Sequence, residues 1–128
     1  MSFNAKTAAV WNGKEIQRDM IKELGDGFYK DAGVIADKAR GAVPKRTGKL
    51  GESIRYTRSR DKSKPAAYVF AGDTQRGLEY AAAVEYGTSK MEARPFMRPA
   101  VASTRYRVQV TARKSVQKVI RKPRRTGK

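Results

Sequence analysis

From residue 13 to residue 42, apolar side chains recur at helical spacing among charged ones. This spacing predicts one long amphipathic helix over 13–42, although its three glycines leave a kink or a break near "LGDGF" open. Unbroken, the helix would be about 45 Å long, more than a domain of this size is wide. One end is then expected to project towards another surface. The apolar positions are Ile16, Met20, Leu24, Phe28, Ile35 and Ala39.

A turn-rich segment, "VPKRTGKLGESI" at residues 43–54, follows the predicted helix. Pro44 ends that helix, because the residue before a proline is pushed out of helical geometry. Thr47 and Gly48 predict a turn, and residues 50–53 predict one short helical turn before a strand.

The letters "TGK" in this segment invite comparison with the phosphate-binding loop of nucleotide-binding proteins. Six residues separate Gly41 from Gly48, whereas that loop has about four at this place. Leu50 also stands where the loop carries a hydroxyl side chain, and the segment follows a helix instead of a strand. We therefore interpret it as a turn and not as a nucleotide site.

Two strands are predicted next. Residues 54–60 alternate, with Ile54 and Tyr56 on one face and Arg55 and Thr57 on the other, as in a half-buried strand. "AAYVFAG", at 66–72, predicts the second strand, and the polar "RDKSKP" between them predicts a hairpin tip or a flexible loop. The two strands should pair in antiparallel fashion.

The C-terminal half is less regular. After a turn at "DTQRG", the stretch 78–88 mixes alanines that favour a helix with residues that favour a strand, and we expect an irregular or helical approach into a strand near 84–86. Pro95 and Pro99 stiffen the loop that follows. Apolar spacing over 99–122 predicts a C-terminal helix with Pro99 at its first position. We expect a single domain over 1–122 and a basic, disordered tail over 123–128.

Charge points to a polyanionic neighbour. The 128 residues carry 29 Lys plus Arg against 12 Asp plus Glu, a formal net charge of +17. Residues 1–42 hold seven basic and six acidic side chains, whereas residues 93–128 hold twelve basic and no acidic ones. No apolar run is long enough for a membrane span, and the first residues lack the order of a secretory leader, so we expect a soluble protein made in a cytoplasm.

The chain has no cysteine and no histidine, which excludes disulfides, thiolate or imidazole metal sites and histidine-based catalytic triads. No pair of carboxylates has a spacing typical of acid–base catalysis. We therefore predict no catalytic residue, no metal and no cofactor. Glu85, in the apolar context "AAAVEYG", is the carboxylate that would need a buried partner, and either Arg94 or Arg98 is within reach along the chain.

Basic residues next to aromatic ones are candidates for contact with DNA or with an acidic protein. On one hairpin they are predicted to form a stripe, for which the plain alternative is a solvated strand face with protective lysines. Sequence-specific reading is not expected, because no recognised DNA-reading motif is present. The candidates on the hairpin are Arg55, Arg58, Arg60, Lys62 and Lys64, and those in the preceding turn are Lys45, Arg46 and Lys49.

Three stretches, taken in order, resemble a family of tailed-bacteriophage virion proteins: the neck, head-to-tail joining or tail-completion proteins, also described as minor tail components. The family pattern has an N-terminal helix, P-x-x-T-G-x-L-x-x-S-[IV] leading into a hairpin, Y-A-x-x-V-E-[YF]-G-T, and P-F-[LMI]-[RK]-P-A at the last helix. The matching residues are Pro44, Thr47, Gly48, Leu50, Ser53 and Ile54, then Tyr80, Ala81, Val84, Glu85, Tyr86, Gly87 and Thr88, and finally Pro95, Phe96, Met97, Arg98, Pro99 and Ala100.

The resemblance implies an α+β fold in which the long N-terminal helix packs on a small antiparallel sheet, with a C-terminal helix alongside. It also implies a homo-oligomeric, hexameric ring in the virion that caps the tail tube, supports head-to-tail joining and lets DNA pass, without covalent chemistry. The neighbours would be tail-tube, tail-terminator or head-connector proteins. In such a design Gly48 and Gly87 permit tight backbone turns, and Phe96 anchors the loop between the two prolines. The alternative is a non-specific nucleic-acid-binding protein, whose affinity would fall steeply with salt.

Overall fold

A computed structural model describes residues 13–44 and 48–123. Four helices and a two-stranded antiparallel sheet make up these residues, which confirms the α+β class. Lys45, Arg46 and Thr47 lie outside the described residues, as does the predicted tail from residue 124 onwards. In chain order the elements are α1 (Gly13–Ala42), α2 (Lys49–Ser53), β1 (Arg55–Arg58), β2 (Ala67–Phe70), α3 (Gln75–Tyr86) and α4 (Met97–Arg121).

Helix α1 is continuous, and its glycines are places where other elements come close. A side chain at Gly25 would collide with the guanidinium of Arg58 from β1, and one at Gly33 would press against the ring of Tyr56. Gly27 faces Thr111 of α4 in the same way. These glycines therefore do not break the helix; they let the hairpin and α4 approach the α1 backbone.

Helices α1 and α4 pack side by side in antiparallel fashion. Their contacts run in opposite chain directions, from one end of the pair to the other, and the basic side chains of α4 meet the acidic ones of α1. The basic C-terminal region predicted from the charge distribution is thus a packed helix up to Arg121, with counter-charges on α1. The ion pairs are Lys122–Asp19 at 3.2 Å, Lys118–Glu23 at 3.3 Å and Arg107–Asp31 at 3.0 Å.

The predicted antiparallel hairpin is confirmed, with strands shorter than expected. Tyr56 pairs with Val69, and both are partly buried against the core on the side of α1. The ring of Tyr56 lies 5.0 Å from that of Tyr29 on α1. On the opposite face the Arg55 guanidinium lies 5.6 Å from the centre of the exposed Phe70 ring. The alternation predicted from the sequence therefore sets which side of the hairpin faces α1.

The hydrophobic core lies at the C-terminal end of α1, where α2, α3 and the start of α4 meet it. Arg40 closes one side of it by donating a hydrogen bond from Nη2 to the carbonyl oxygen of Ile54 at 2.6 Å. Many of the core side chains belong to the three stretches singled out in the sequence. The buried cluster comprises Ala36, Ala39, Val43, Leu50, Ile54, Ala81, Val84, Phe96 and Ala100.

The approach expected from residue 78 is helical, but the strand near 84–86 is wrong, because helix α3 covers Gln75–Tyr86. The helix also includes the last three residues of the turn predicted at "DTQRG". Thr74 caps its start, accepting a hydrogen bond at 3.0 Å from the backbone N–H of Gly77. The buried positions Ala81, Val84 and Glu85 have helical spacing and face the core together. Helix α4 also begins earlier than predicted, at Met97, so Pro99 is its third residue and not its first.

Candidate functional site

The second and third motif stretches meet at the carboxylate of Glu85, which is 5% exposed. Its Oε2 accepts hydrogen bonds from the backbone N–H groups of Phe96 at 2.8 Å and Met97 at 3.0 Å. Its Oε1 accepts from the backbone N–H of Arg98 at 2.8 Å and from Nε of the same residue at 3.0 Å. One side chain at the end of α3 thus satisfies the first backbone donors of α4.

Helix α4 needs this carboxylate because its own sequence provides no cap. Phe96, at the cap position, offers no side-chain acceptor, and the first turn holds no acidic residue but does hold Arg98. The N-terminus of a helix carries partial positive charge and unpaired N–H groups, which favour a nearby anion. Glu85 supplies from another helix what Ser, Thr, Asp or Asn would supply locally.

Arg98 completes the junction. The sequence had left Arg94 and Arg98 as candidate partners of Glu85, and the contacts distinguish between them. Its Nη2 donates to the backbone carbonyl of Glu85 at 2.8 Å, and its guanidinium lies 4.9 Å from the centre of the Tyr86 ring. Arg94 contributes instead through its backbone N–H, which donates to the carbonyl of Val84 at 2.7 Å. The side-chain partner of Glu85 is therefore Arg98.

The pKa of Glu85 reflects two opposing effects. Burial raises the pKa of its carboxyl, because the charged form loses water. The hydrogen bonds from the N–H groups of Met97, Phe96 and Arg98, together with that from the Arg98 side chain, lower it. The hydrogen bonds outweigh burial, so that the pKa lies below its ordinary value of 4.5. Glu85 is thus a fixed negative charge at neutral pH.

Gly87 reverses the chain between α3 and α4. Its φ of 78° and ψ of 170° lie in a region that only glycine adopts readily. A Cβ there would lie 2.8 Å from the backbone nitrogen of Ala93 and 3.1 Å from the carbonyl oxygen of Met91. Thr88 and Met91 then form a short bridge that folds the loop back towards Val84. The tight backbone predicted for Gly87 is confirmed, as is that for Gly48 with its φ of 76°.

Replacing Gly87 with alanine is expected to lower the free energy of unfolding by about 2–3 kcal/mol, because the new Cβ meets backbone that cannot move aside cheaply. Chemical denaturation followed by circular dichroism measures the change. Gly41→Ala is the matched control: Gly41 is helical and exposed, and nothing lies within 4 Å of its Cβ position. That variant should be neutral or more stable by up to about 1 kcal/mol, and equal losses in the two would contradict the role given to Gly87.

The first motif stretch connects the end of α1 to the other two. Pro44 follows α1, and both Leu50, in α2, and Ile54, just after α2, are buried. The Ser53 hydroxyl donates to the carbonyl of Leu50 at 2.7 Å and accepts from the N–H of Gly72 at 2.9 Å, just before α3. The apolar anchoring predicted for Leu50 and Ile54 is confirmed by their burial.

An exposed apolar strip runs along α3 beside this junction. Leu78, Ala82 and Tyr86 follow one another at intervals of four residues, and all three are exposed. Leu78 is 49% exposed and Tyr86 is 68% exposed. Arg98 stacks on Tyr86 and lies one helical turn before the exposed Val101, so the strip continues onto α4. We call these five residues the α3 strip; of them, sequence reasoning had selected Tyr86 and Arg98.

The basic hairpin residues do not form the single stripe that the sequence predicted. Arg58 points from β1 to α1, where it pairs with Asp26 and donates to the carbonyl of Lys22. Arg55 lies on the opposite face of the hairpin, over Phe70. The stripe is split because alternate residues of a strand point to opposite faces.

Two cations on α1 that sequence reasoning did not select, Arg18 and Lys22, lie across a groove from the hairpin loop that holds Arg60, Lys62 and Lys64. Their spacing of four residues places them on one face of the helix, and this spacing was the available signal. Lys49, another predicted contact, begins α2.

In the parts of the chain that the structure covers, no group of acidic side chains could hold a metal ion. Within the same residues, no helix is long and apolar enough to cross a membrane. Comparison with known proteins found no matching family, no matching curated protein and no matching solved structure. The resemblance to phage proteins therefore depends on the motif residues themselves.

Proposed function

We propose that this protein is a structural subunit of a tailed-phage virion, forming a homo-oligomeric, hexameric ring in the neck or tail-completion region. In this role the ring caps the tail tube, supports joining to the head and lets the genome pass. It would be made in the host cytoplasm and would adjoin tail-tube, tail-terminator or head-connector proteins. No covalent chemistry is part of the proposal.

The observation that carries the proposal is where the motif residues lie. All three stretches converge on one junction, in which Glu85 holds the start of α4 and Ser53 holds the turn before α3. Their side chains serve as anchors, caps and turns and not as a cluster of reactive groups. Structural subunits function through their shape, so we expect a motif that they share to fix backbone geometry in this way.

The α3 strip supports self-association. Tyrosine and arginine are enriched among the residues that dominate protein interfaces, and here Tyr86 and Arg98 stack in a strip with three exposed aliphatic side chains. The junction fixes the backbone beneath them, so little ordering would be needed on binding. A strip on one side of a subunit that meets a different surface of the next makes a head-to-tail contact, which closes into a ring when the rotation allows.

Light scattering after size exclusion, together with electron microscopy of the purified protein, tests the proposal. Closed rings of uniform subunit number are expected, and they should persist when salt is raised, because apolar contact is not screened. A protein that stays monomeric at all concentrations and associates only with DNA would contradict the structural role and favour the nucleic-acid-binding alternative.

Replacing Leu78 and Tyr86 together with aspartate is expected to weaken ring assembly by about 100-fold or more while leaving the monomer folded, because both side chains are exposed. The matched control replaces Tyr68 and Tyr106, which are also exposed but lie on β2 and α4, with aspartate. Equal disruption by both pairs, or disruption by the control pair alone, would show that the α3 strip is not the interface.

A further inference from the structure

A cationic groove lies between the N-terminal half of α1 and the loop that joins β1 to β2. It has a volume of about 620 Å³, and Ile21 and Gly25 contribute its apolar part. We propose that this groove binds the phosphate backbone of duplex nucleic acid without reading its sequence. One carboxylate, that of Asp61, also lines the groove, and the cations that line it are Arg18, Lys22, Arg58, Arg60, Lys62 and Lys64.

Four of the six cations are not neutralised by an ion pair with a described residue. Arg18, Lys22, Arg60 and Lys62 form no ion pair with any residue that the structure describes, and all four are exposed. The other two have acidic partners: Arg58 pairs with Asp26, and Lys64 lies 4.0 Å from Asp61. Four positive charges facing one groove repel each other, and an anion between them relieves that repulsion.

The loop side of the groove is ordered by its own hydrogen bonds. The Asp61 carboxylate accepts from the backbone N–H of Ser63 at 2.9 Å and from its hydroxyl at 2.6 Å. Ser59 and Ala66 close the loop through a backbone hydrogen bond of 2.9 Å. Arg58 anchors the end of β1 to α1 in the space left by Gly25. The backbone of the loop that carries these cations is therefore held opposite α1 before a ligand arrives.

The lining favours nucleic acid over an acidic protein. The centre of a protein interface is depleted of charged residues, whereas most of the residues that line this groove are charged. Phosphate contacts, in contrast, depend on charge and on displaced counterions. Single-strand binding uses aromatic side chains for base stacking, and the residues that line the groove include none, so the denser charge of a duplex suits it better. The inference does not depend on ring formation.

The test compares two variants of the full chain that each lose four positive charges. One replaces Arg18, Lys22, Arg60 and Lys62 with glutamine; the control does the same to four exposed α4 residues that make no ion pair with a described residue, Arg105, Arg113, Lys114 and Arg121. Binding to a fluorescent duplex of about 20 base pairs is followed by anisotropy at several salt concentrations. Each lost phosphate contact should reduce the slope of log K against log salt by about 0.9.

In the groove variant, the slope of log K against log salt should become smaller in magnitude by about 3, and the affinity at moderate salt should fall by at least about 30-fold. In the control, the magnitude of the slope should fall by less than about 1. Similar losses in both variants would show diffuse attraction to the whole surface and overturn the proposal. Polyglutamate that competes as well as the duplex at equal charge would also overturn it, in favour of an acidic protein partner.

In the unaltered protein, bound duplex should protect Lys22 and Lys62 from acetylation more than Lys114, and equal modification would contradict the site.

Discussion

Replacing Glu85 with glutamine is expected to lower the free energy of unfolding by about 3 kcal/mol. Each of its oxygens accepts two hydrogen bonds, from donors on the first residues of α4. Glutamine keeps one oxygen as an acceptor, but its NH₂ group replaces the other oxygen and faces N–H donors. The substitution also removes the negative charge at the start of the helix. Hydrogen bonds to a charged group are each worth about 1.5–3 kcal/mol, and a buried donor left unpaired costs about 1–3 kcal/mol.

Glu79→Gln is the matched control, because it makes the same chemical change on the same helix at an exposed position. The Glu79 carboxylate accepts one hydrogen bond, from the Gln75 side chain, which glutamine can still accept. Its effect should stay within about 0.5 kcal/mol. Chemical denaturation measures both variants, and a Glu85→Gln loss as small as that of Glu79→Gln would show that the junction does not hold α4 in place.

The same residue predicts a pH dependence with a definite sign. Because the pKa of Glu85 is lower in the folded chain than its ordinary value of 4.5, its stabilising effect is complete above that pH. The effect is lost as pH falls through the lower, folded-state pKa. The stability difference between the unaltered protein and Glu85→Gln should therefore be constant near neutral pH and shrink below about pH 4.5. A difference that stays constant down to the acid limit of folding would contradict this linkage.

Local periodicity was sufficient to predict α1, the hairpin and α4. The apolar spacing over 13–42 gave the bounds of α1, and alternation at Tyr56 gave the face of β1 that turns to the core. The packing role of the glycines in α1 could not be predicted from periodicity. Gly25 and Gly33 look like helix breakers until Arg58 and Tyr56, which are distant in sequence, are placed against them.

The extent of helix α3 was predicted incorrectly, although two local signals indicate it. Thr74 is a good cap residue, and Ala81, Val84 and Glu85 have helical spacing, but the tyrosines and Val84 suggested a strand. A strand there would also have needed a neighbour to pair with. Glu85 was recognised as needing a partner, yet its action on α4 depends on tertiary contact. One indication was present in the sequence: residues 94–96 include no side chain suited to capping the start of α4.

The total charge of the chain was a poor guide to which cations are available. Three basic side chains of the C-terminal region, Arg107, Lys118 and Lys122, pair with Asp31, Glu23 and Asp19 of α1. The pairs of Glu23 and Asp19 are partly exposed, and each contributes about 0–1 kcal/mol to stability. Asp31 is buried, so loss of Arg107 would leave a buried charge without its ion partner. Cations without a described ion pair remain on α4 as well, but Arg18, Lys22, Arg60 and Lys62 are the ones that line a single groove from two sides.

Replacing Phe96 with alanine is expected to lower the free energy of unfolding by about 3–5 kcal/mol, because its ring is 2% exposed within the core and its loss leaves a cavity. Phe70→Ala, at a ring that is 39% exposed on the hairpin, is the control and should cost about 1 kcal/mol or less. Chemical denaturation measures both. A Phe96→Ala change near zero would show that the loop between Pro95 and Pro99 is not anchored there.

Phe96 and Glu85 should also act as one unit. The backbone N–H of Phe96 is one of the donors that Glu85 accepts, so an unanchored loop would misplace the groups that the carboxylate binds. The double variant Glu85→Gln, Phe96→Ala should therefore lose less stability than the sum of the two single losses, by about 0.5–3 kcal/mol. Strict additivity would mean that the ring and the carboxylate hold α4 independently, and the two motif stretches would then have no shared structural role at this junction.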